Sequence, residues 1–524
     1  MEVIALYSGV ADETGIFVES ATMNSHIVDT FAMRTIQKSN KKWIIPSTGN
    51  YDEGKGFRGA VVFPAKRGVH KFIFLFDFTS LYNRIIQSYY IDPIAYAHWK
   101  GTFTENGIDE FIEFSKLFGE MYGIEVNNNG KKARLPIFPA LLLQMEQRRN
   151  ELKEKRRQYK HGTAEYEMYE QLQKSAKVVL LAFYGVLGMS SSRWKVVKPI
   201  PEDKILRTDN DDEVDFRIPN EPFEVFVGII PYLARTALID TKEFFDRDKN
   251  IDVIYGDTDS IFVTPVELID KSKTWNTLTP EEKIKLRDFG YEYSKKLEEF
   301  YKGRFETGIE MKLEKIFDRG IFGNVKKQYF CRTIWDEDLG WQEHWYEYVK
   351  GLPLVRTDRE EFLKNMQRTT LEIILDDPTK LEETWTKTIK ELFSNQRDHE
   401  LIIRGGVKKL LSEYKNETPV IRAARMNAKN GITMRPGEKV AYLIVDVQDG
   451  KPIVEPIDEM VDPKEAIKWI PPVTEKALNW YWNKRIWKNI KPFLELVLDE
   501  TTITKIELLK SKRVMLDSWF KQKI

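Results

Sequence analysis

Apolar and polar positions along the chain follow two distinct rhythms. Residues 71–77 read Lys71-Phe72-Ile73-Phe74-Leu75-Phe76-Asp77, an unbroken apolar run closed by a carboxylate. This predicts a buried central strand with Asp77 at its C-terminal end. The following residues turn into a short helix around Ile85 and Ile86, with Thr79 or Ser80 as its cap. Residues 251–263 form two short β-branched and aromatic runs on either side of Gly256-Asp257-Thr258-Asp259. They predict a hairpin whose turn lies at or beside the acids. Because strand side chains alternate, Asp257 and Asp259 are expected on one side and Thr258 on the other.

From Pro139 the pattern lengthens. Residues 140–157 predict a basic helix, broken near Gly162 and followed by a second helix that carries Lys177. Arg149 and Lys153 are four apart and share a face; a solvated basic face is the plain reading of such a run. Helices are expected at 225–240 and 280–302, strands at 308–314 and 323–329, and a mainly helical remainder from 349. Residues 1–56 read as mixed strand and loop. The acidic segment 208–213 has no assignable role.

With 524 residues the chain can bury several cores. Lys plus Arg and Asp plus Glu both number 81, so attraction to nucleic acid must come from local patches. The single cysteine, Cys331, excludes an internal disulfide framework and fits a reducing cytoplasm; six scattered histidines make a zinc site unexpected. The most apolar helix, 178–189, is too short to span a membrane.

Two carboxylates held together on a hairpin repel unless a cation sits between them. Asp257 and Asp259 therefore point to a hard divalent metal, with a solvated Asx turn as the plain alternative. A buried strand that delivers Asp77 beside them is what two-metal phosphoryl transfer needs.

At these residues a family resemblance becomes specific. The stretch Asp77-Phe78-Thr79-Ser80-Leu81-Tyr82 resembles motif A of the family B (alpha-like) DNA polymerases, archaeal type, and Tyr255-Gly256-Asp257-Thr258-Asp259-Ser260 resembles their motif C. Between them, residues 173–185, with Lys177, Tyr184 and Gly185, resemble motif B. Order and spacing agree.

The resemblance implies an α+β right-hand polymerase: a palm with an antiparallel sheet, helical-hairpin fingers and a mainly helical thumb. It divides the chain into a connector resembling the exonuclease–palm junction (1–56), palm (57–135), fingers (136–189), palm (190–348), thumb (349–510) and a C-terminal tail (511–524). Asp77, Asp257 and Asp259 would be catalytic. With the carbonyl of Phe78 they would hold two Mg²⁺ ions, for which Mn²⁺ can substitute. Phe78, Thr79, Ser80, Leu81, Tyr82, Arg149, Lys153, Lys177 and Tyr184 would meet the deoxynucleoside triphosphate, and Tyr82 would leave no room for a 2′-hydroxyl. Gly59, Lys326, Lys327, Tyr329, Arg422 and Arg425 would contact primer–template DNA. Leu516, Trp519 and Phe520 resemble a sliding-clamp-binding peptide, with Arg513 where glutamine is usual; the alternative is a tail packed on its own thumb.

The expected protein is thus a DNA-associated, cytoplasmic DNA-directed DNA polymerase without intrinsic 3′–5′ proofreading. The missing N-terminal functions would lie on a separate subunit or be absent. Asn83-Arg84 and Leu181-Ala182 replace the family's Pro-Ser and Asn-Ser, and Gln328 replaces an arginine. Loss of one polar partner costs about 1 kcal/mol, roughly fivefold in affinity. A slow or low-fidelity enzyme for repair or lesion bypass is therefore expected. The alternative is a weakened paralogue that binds primed DNA or serves as a replisome scaffold.

Overall fold

The structure is a computed structural model that describes residues 2–38, 44–47, 59–99, 107–128, 130–187, 193–196, 216–217, 220–303 and 309–510. The 208–213 segment and the tail with Leu516, Trp519 and Phe520 lie outside the described residues.

At the centre is a six-stranded sheet. Its strands are β1 (Gly68–Phe78), β2 (Ile251–Asp257), β3 (Ser260–Pro265), β4 (Met311–Phe322), β5 (Tyr329–Asp336) and β6 (Gly340–Lys350), in the order β6-β5-β4-β1-β3-β2. Every pairing is antiparallel. The run 71–77 is unbroken because both faces of β1 are covered. Phe72, Phe74, Phe76 and Phe78 enter one core, and Ile73 and Leu75 enter another. Each buried ring of this size contributes about 1.5–3 kcal/mol. Two helices cover the Phe face: α6 (Asn220–Asp246) and α7 (Pro280–Tyr301). Phe245 meets Phe76, Phe289 meets Phe74 and Tyr301 meets Phe78, with ring centroids 4.9–5.6 Å apart. The start of α7 is fixed by Pro280 in its first turn and a capping box between Thr279 and Glu282.

Beyond β1 comes the short helix α3 (Leu81–Ser88), and then the antiparallel pair α4 (Ile137–Arg157) and α5 (Ala164–Leu187). Asp92, fully buried, accepts from the N–H groups of Ile94, Ala95 and Phe138, each at 2.8 Å. One carboxylate thus satisfies the open amides of two helix starts, including that of α4.

The N-terminal residues depart from expectation. Instead of strand and loop, α1 (Glu2–Thr14) and α2 (Asn24–Lys38) are helices packed on α5; among the described residues of this segment, strand appears at Ile44–Ser47. Ser175 Oγ donates to the Leu6 carbonyl at 2.9 Å, and Phe31 sits edge-on to Phe183. Val10, Ile27, Val28 and Ala32 are fully buried. Their helical spacing is sparse, and contact with α5 supplies what local propensity does not.

One further expectation is corrected. Residues 323–328 are the turn between β4 and β5, closed by Gly323 N–H to the Gln328 carbonyl at 3.0 Å. The C-terminal part is mainly helical, as expected, and also carries a small sheet. Ile403–Gly406, Lys439–Gln448 and Lys451–Ile457 form a three-stranded antiparallel sheet. It shares a second core with Trp385, Tyr481 and Trp482. Ile321 and Phe330 of the large sheet belong to that core too, and Arg332 grips Asp376 with two bonds of 2.6 and 2.8 Å.

Candidate active site

Asp77 and Asp259 meet at the ends of neighbouring strands. Asp77 pairs with Ser260 in the register of β1 and β3, and Phe78 N–H donates to the Asp259 carbonyl at 2.8 Å. In phase with Ile73 and Leu75, Asp77 falls on the face opposite the Phe-packed helices. Burial raises the pKa of Asp77 well above the usual carboxylate range; the charges of Asp259 and Glu314 raise it further, and Lys177 and Lys350 oppose. Asp259 is raised by burial and Asp257, again against Lys350 and Lys177. Glu314 reaches this corner because β4 bulges there: Leu75 faces Lys315 and Phe76 faces Leu313, so Glu314 is the extra residue.

Asp257 behaves differently from the alternation argument. Its partner across the hairpin is Ser260, so Thr258 and Asp259 are the two turn residues and not strand positions. Thr258 is left-handed at φ 61°, and its N–H is held by the Val61 carbonyl at 3.0 Å. The period-two rule lapses at the turn. Asp257 is buried, accepts from Thr258 Oγ1 at 2.9 Å and pairs with Lys327 Nζ at 2.9 Å, with Lys350 Nζ at 3.9 Å. Lys327 is also left-handed (φ 64°), and its N–H donates to the Tyr255 hydroxyl at 2.9 Å.

The helical pair brings cations toward the acids. Lys177 of α5 is exposed and acts electrostatically on both Asp77 and Asp259. Arg149 Nε donates to Gln173 Oε1 at 3.3 Å; burial lowers its pKa, and Asp338, Glu146 and Glu170 oppose. Lys153 is likewise lowered by burial and raised by Asp338. The neighbouring Arg148 turns the other way, to Glu13 of α1 at 3.0 Å. At the base of α4, the buried Glu146 lies 3.5 Å from Arg84 of α3.

Between the strand and the helices, Thr79 N–H donates to the Glu310 carbonyl at 2.9 Å, and Leu81 is buried. Ser80 occupies the cap position of α3 in a left-handed conformation (φ 53°) without a capping side-chain bond. Tyr82 stacks on Tyr184 with centroids 4.5 Å apart and planes at 19°. Burial raises the Tyr82 hydroxyl pKa, as do Tyr184 and Asp259.

Other expected contacts sit as follows. Lys326 and Lys327 lie in the β4–β5 turn, whereas Tyr329 is buried in the core with Tyr255, Phe262 and Phe322. A Cβ at Gly59 would meet no atom of the described residues within 4 Å, and the Gly59 carbonyl accepts from Arg235 Nη1 at 2.7 Å. Arg422 is held by the Pro452 carbonyl. Arg425 is held by Glu417 and by the carbonyls of Leu411 and Tyr414. Sequence reasoning missed Lys350, Glu314 and Arg235, which reach the site only through β6, a bulge and a helix distant in the chain.

Two carboxylates at adjoining ends of the hairpin and β1, with the charge of Asp259 raising the pKa of Asp77, make a hard oxygen donor set that fits Mg²⁺. Among the described residues, no group of three or more His, Cys, Asp or Glu is arranged as a metal cage. Mg²⁺ commonly binds through one or two carboxylates plus substrate phosphates, so two acids suffice.

The solved structure of the family B DNA polymerase from the hyperthermophilic archaeon Pyrobaculum calidifontis superposes with a TM-score of 0.51 at 19% identity. The match covers 95% of this chain and 54% of that one. The fold is therefore that of the right-hand polymerases, α+β in class. The family model for DNA polymerase family B matches residues 22–198 and 229–497, and the chain belongs to that family. Among relatives, DNA polymerase 2 of Aeropyrum pernix is 25% identical over 407 residues, 76% of this chain and 41% of that protein. The DNA polymerase of Archaeoglobus fulgidus is 24% identical over 484 residues, 90% of this chain and 51% of that protein. The chain thus spans about half the length of the curated relatives it matches. No helix among the described residues is long and apolar enough to cross a membrane.

Proposed function

We propose that this chain is a template-directed DNA polymerase that adds deoxynucleotides to a primer 3′ end. The observation that carries the reading is the side-by-side placement of Asp77 and Asp259, with Lys177 in electrostatic reach of both. Asp77, Asp259 and the Phe78 carbonyl hold the metal, with Asp257 accessory. Held by these residues, Mg²⁺, or Mn²⁺ in its place, would supply Lewis acidity for the primer hydroxyl and positive charge for the leaving pyrophosphate. Arg149, Lys153 and Lys177 bind the triphosphate; fixed cations in a partly dry pocket act strongly on a polyanion. The Tyr82 ring, backed by Tyr184, lies beneath the sugar and excludes a ribonucleotide.

The residue ranges given above for palm, fingers and thumb are the functional divisions of this reading. Lys326 and Lys327 reach the minor groove, whose acceptors are similar for every correct pair. Because Arg422 and Arg425 are engaged within the fold, the exposed Lys408, Lys409, Lys415, Lys429 and Arg435 serve as the phosphate contacts of the thumb. Leu516, Trp519 and Phe520 dock on a sliding clamp. Slow or low-fidelity synthesis, suited to repair or lesion bypass, is supported by Leu181, 62% exposed, and the buried Ala182, which offer no polar side chain beside Tyr184.

Primer extension on normal and damaged templates tests the proposal. Divalent-ion-dependent incorporation is expected, and its absence from well-folded protein refutes it. A mismatched primer terminus in the same assay shows whether excision accompanies synthesis.

A further inference from the structure

The far end of α4 is held by a carboxylate from the sheet. Asp338, at the tip of the β5–β6 hairpin, meets Arg156 Nη2 at 3.0 Å and Arg157 Nη2 at 2.9 Å, with Lys153 Nζ at 4.0 Å. Arg156 is buried and also pairs with Glu170 of α5, so one guanidinium ties both helices to the hairpin tip. An isolated exposed ion pair contributes little, but a partly buried network with fixed geometry contributes more.

The tip is stiff. Asp336 Oδ1 accepts the Asp338 N–H at 2.8 Å, and Asp336 Oδ2 is held by Lys315 and by the Tyr346 hydroxyl. Glu337 N–H donates to the Glu314 carbonyl at 2.9 Å, at the bulge beside Asp77. The carboxylate that grips the helical pair is therefore anchored to the same part of the sheet that carries the catalytic corner. Asp338 also sits at the negative end of the α4 dipole, where an anion is unfavourable unless cations hold it there. Its pKa is drawn down to about 2, with Lys153, Arg156 and Arg157 outweighing burial.

We propose that Asp338 is a positioning residue for the incoming nucleotide: by clasping the last turn of α4 it fixes Lys153 and Arg149, one and two turns back, relative to Asp77 and Asp259. The proposal rests on the polymerase reading. It assigns the hairpin tip a role in substrate affinity that involves no contact with DNA and none with the metal ions.

Single-nucleotide incorporation on a primed template, with kcat and KM measured separately, tests it. Asp338→Asn is expected to raise KM for the nucleotide about tenfold, the effect of losing one well-formed charged contact. It should leave kcat within about twofold and the primer–template Kd unchanged, and Asp338→Glu should restore most of the affinity. An unchanged KM overturns the clasp. So does a lowered KM, which would mean that Asp338 shields the cations from the triphosphate. Equal losses in kcat and thermal midpoint also overturn it, by showing a folding contact only. A parent protein that incorporates nothing removes the polymerase reading and this role together, whereas an active parent beside an unaffected variant removes the clasp alone.

Discussion

The Phe78 amide donates to the Asp259 carbonyl at 2.8 Å, and this one bond locks the end of β1 against the β2–β3 turn. Asp77 and Asp259 lie far apart in the chain, yet their separation in space is set by backbone and not by flexible side chains. A pair of side chains set on a strand end and a tight hairpin turn can hold its geometry to fractions of an ångström. Asp257, next door in sequence, is drawn away by Lys327.

Substitution of the three acids should therefore give unequal results. Asp77→Asn and Asp259→Asn are expected to lower incorporation by about a thousandfold or more, with primer–template binding nearly intact. Asp257→Asn should cost about tenfold or less, because its carboxylate chiefly engages lysines. Single-turnover rates with saturating DNA measure the ranking, and equal loss for all three would contradict it.

The Tyr82–Tyr184 stack predicts sugar selection. Tyr82→Ala opens the space beneath the ribose and is expected to lower discrimination against ribonucleotides by roughly 10- to 100-fold. Competing deoxy- and ribonucleotide incorporation reports the ratio. Tyr184→Ala should loosen the same ring less, since it removes a stack of about 0.5–1.5 kcal/mol.

Under the proposed reading, Lys327 joins duplex contact to the acidic hairpin, where it pairs with Asp257. Lys327→Ala should weaken primer–template binding by a similar factor on every sequence. Loss of one phosphate contact would flatten the salt dependence of log Kd by about 0.9, whereas a minor-groove contact alone would leave that slope unchanged. Fluorescence anisotropy at several salt concentrations separates the two.

Gly351 permits the close approach of β6 to the β4–β5 turn. Its φ is 68°, and a Cβ there would lie 1.9 Å from the Lys327 carbonyl oxygen. Gly351→Ala is expected to destabilise the protein by about 2 kcal/mol or more and to disturb Lys327. Thermal unfolding beside DNA affinity reveals both effects.

Asp29 of α2 gives the stability a pH dependence. Burial pushes its pKa from 3.8 up to about 6, with His26 opposing. The folded state then holds this proton more tightly than the unfolded chain. Its contribution is greatest below pH 4, declines as pH rises to about 6, and stays unfavourable above. Asp29→Asn should raise the thermal midpoint at pH 7 and flatten its change between pH 4 and 6. The gain should be about 1 kcal/mol once partial solvent exposure is allowed for.

Much of the candidate site is legible in the chain because its signals are local. The apolar run ending at Asp77, the Asp257-Thr258-Asp259 turn, and the basic helix followed by the Lys177 helix each carry their own periodicity. The N-terminal helices were not legible: their burial is supplied by α5 and not by their own sequence pattern. The strand 439–448 lies within a remainder expected to be mainly helical, although Val440-Ala441-Tyr442-Leu443-Ile444-Val445 is an apolar, β-prone run.

From the sequence come the candidate acids and cations, because residue type, order and spacing are local properties. Only the tertiary structure decided how they are shared out. Asp259 faces Asp77 while Asp257 faces Lys327, and Lys350, Glu314 and Asp338 arrive from two strands and a hairpin tip that no spacing rule connects to them. Electrostatic partnership depends on distance in space, and strand register, a bulge and a two-residue turn set those distances once the sheet has closed.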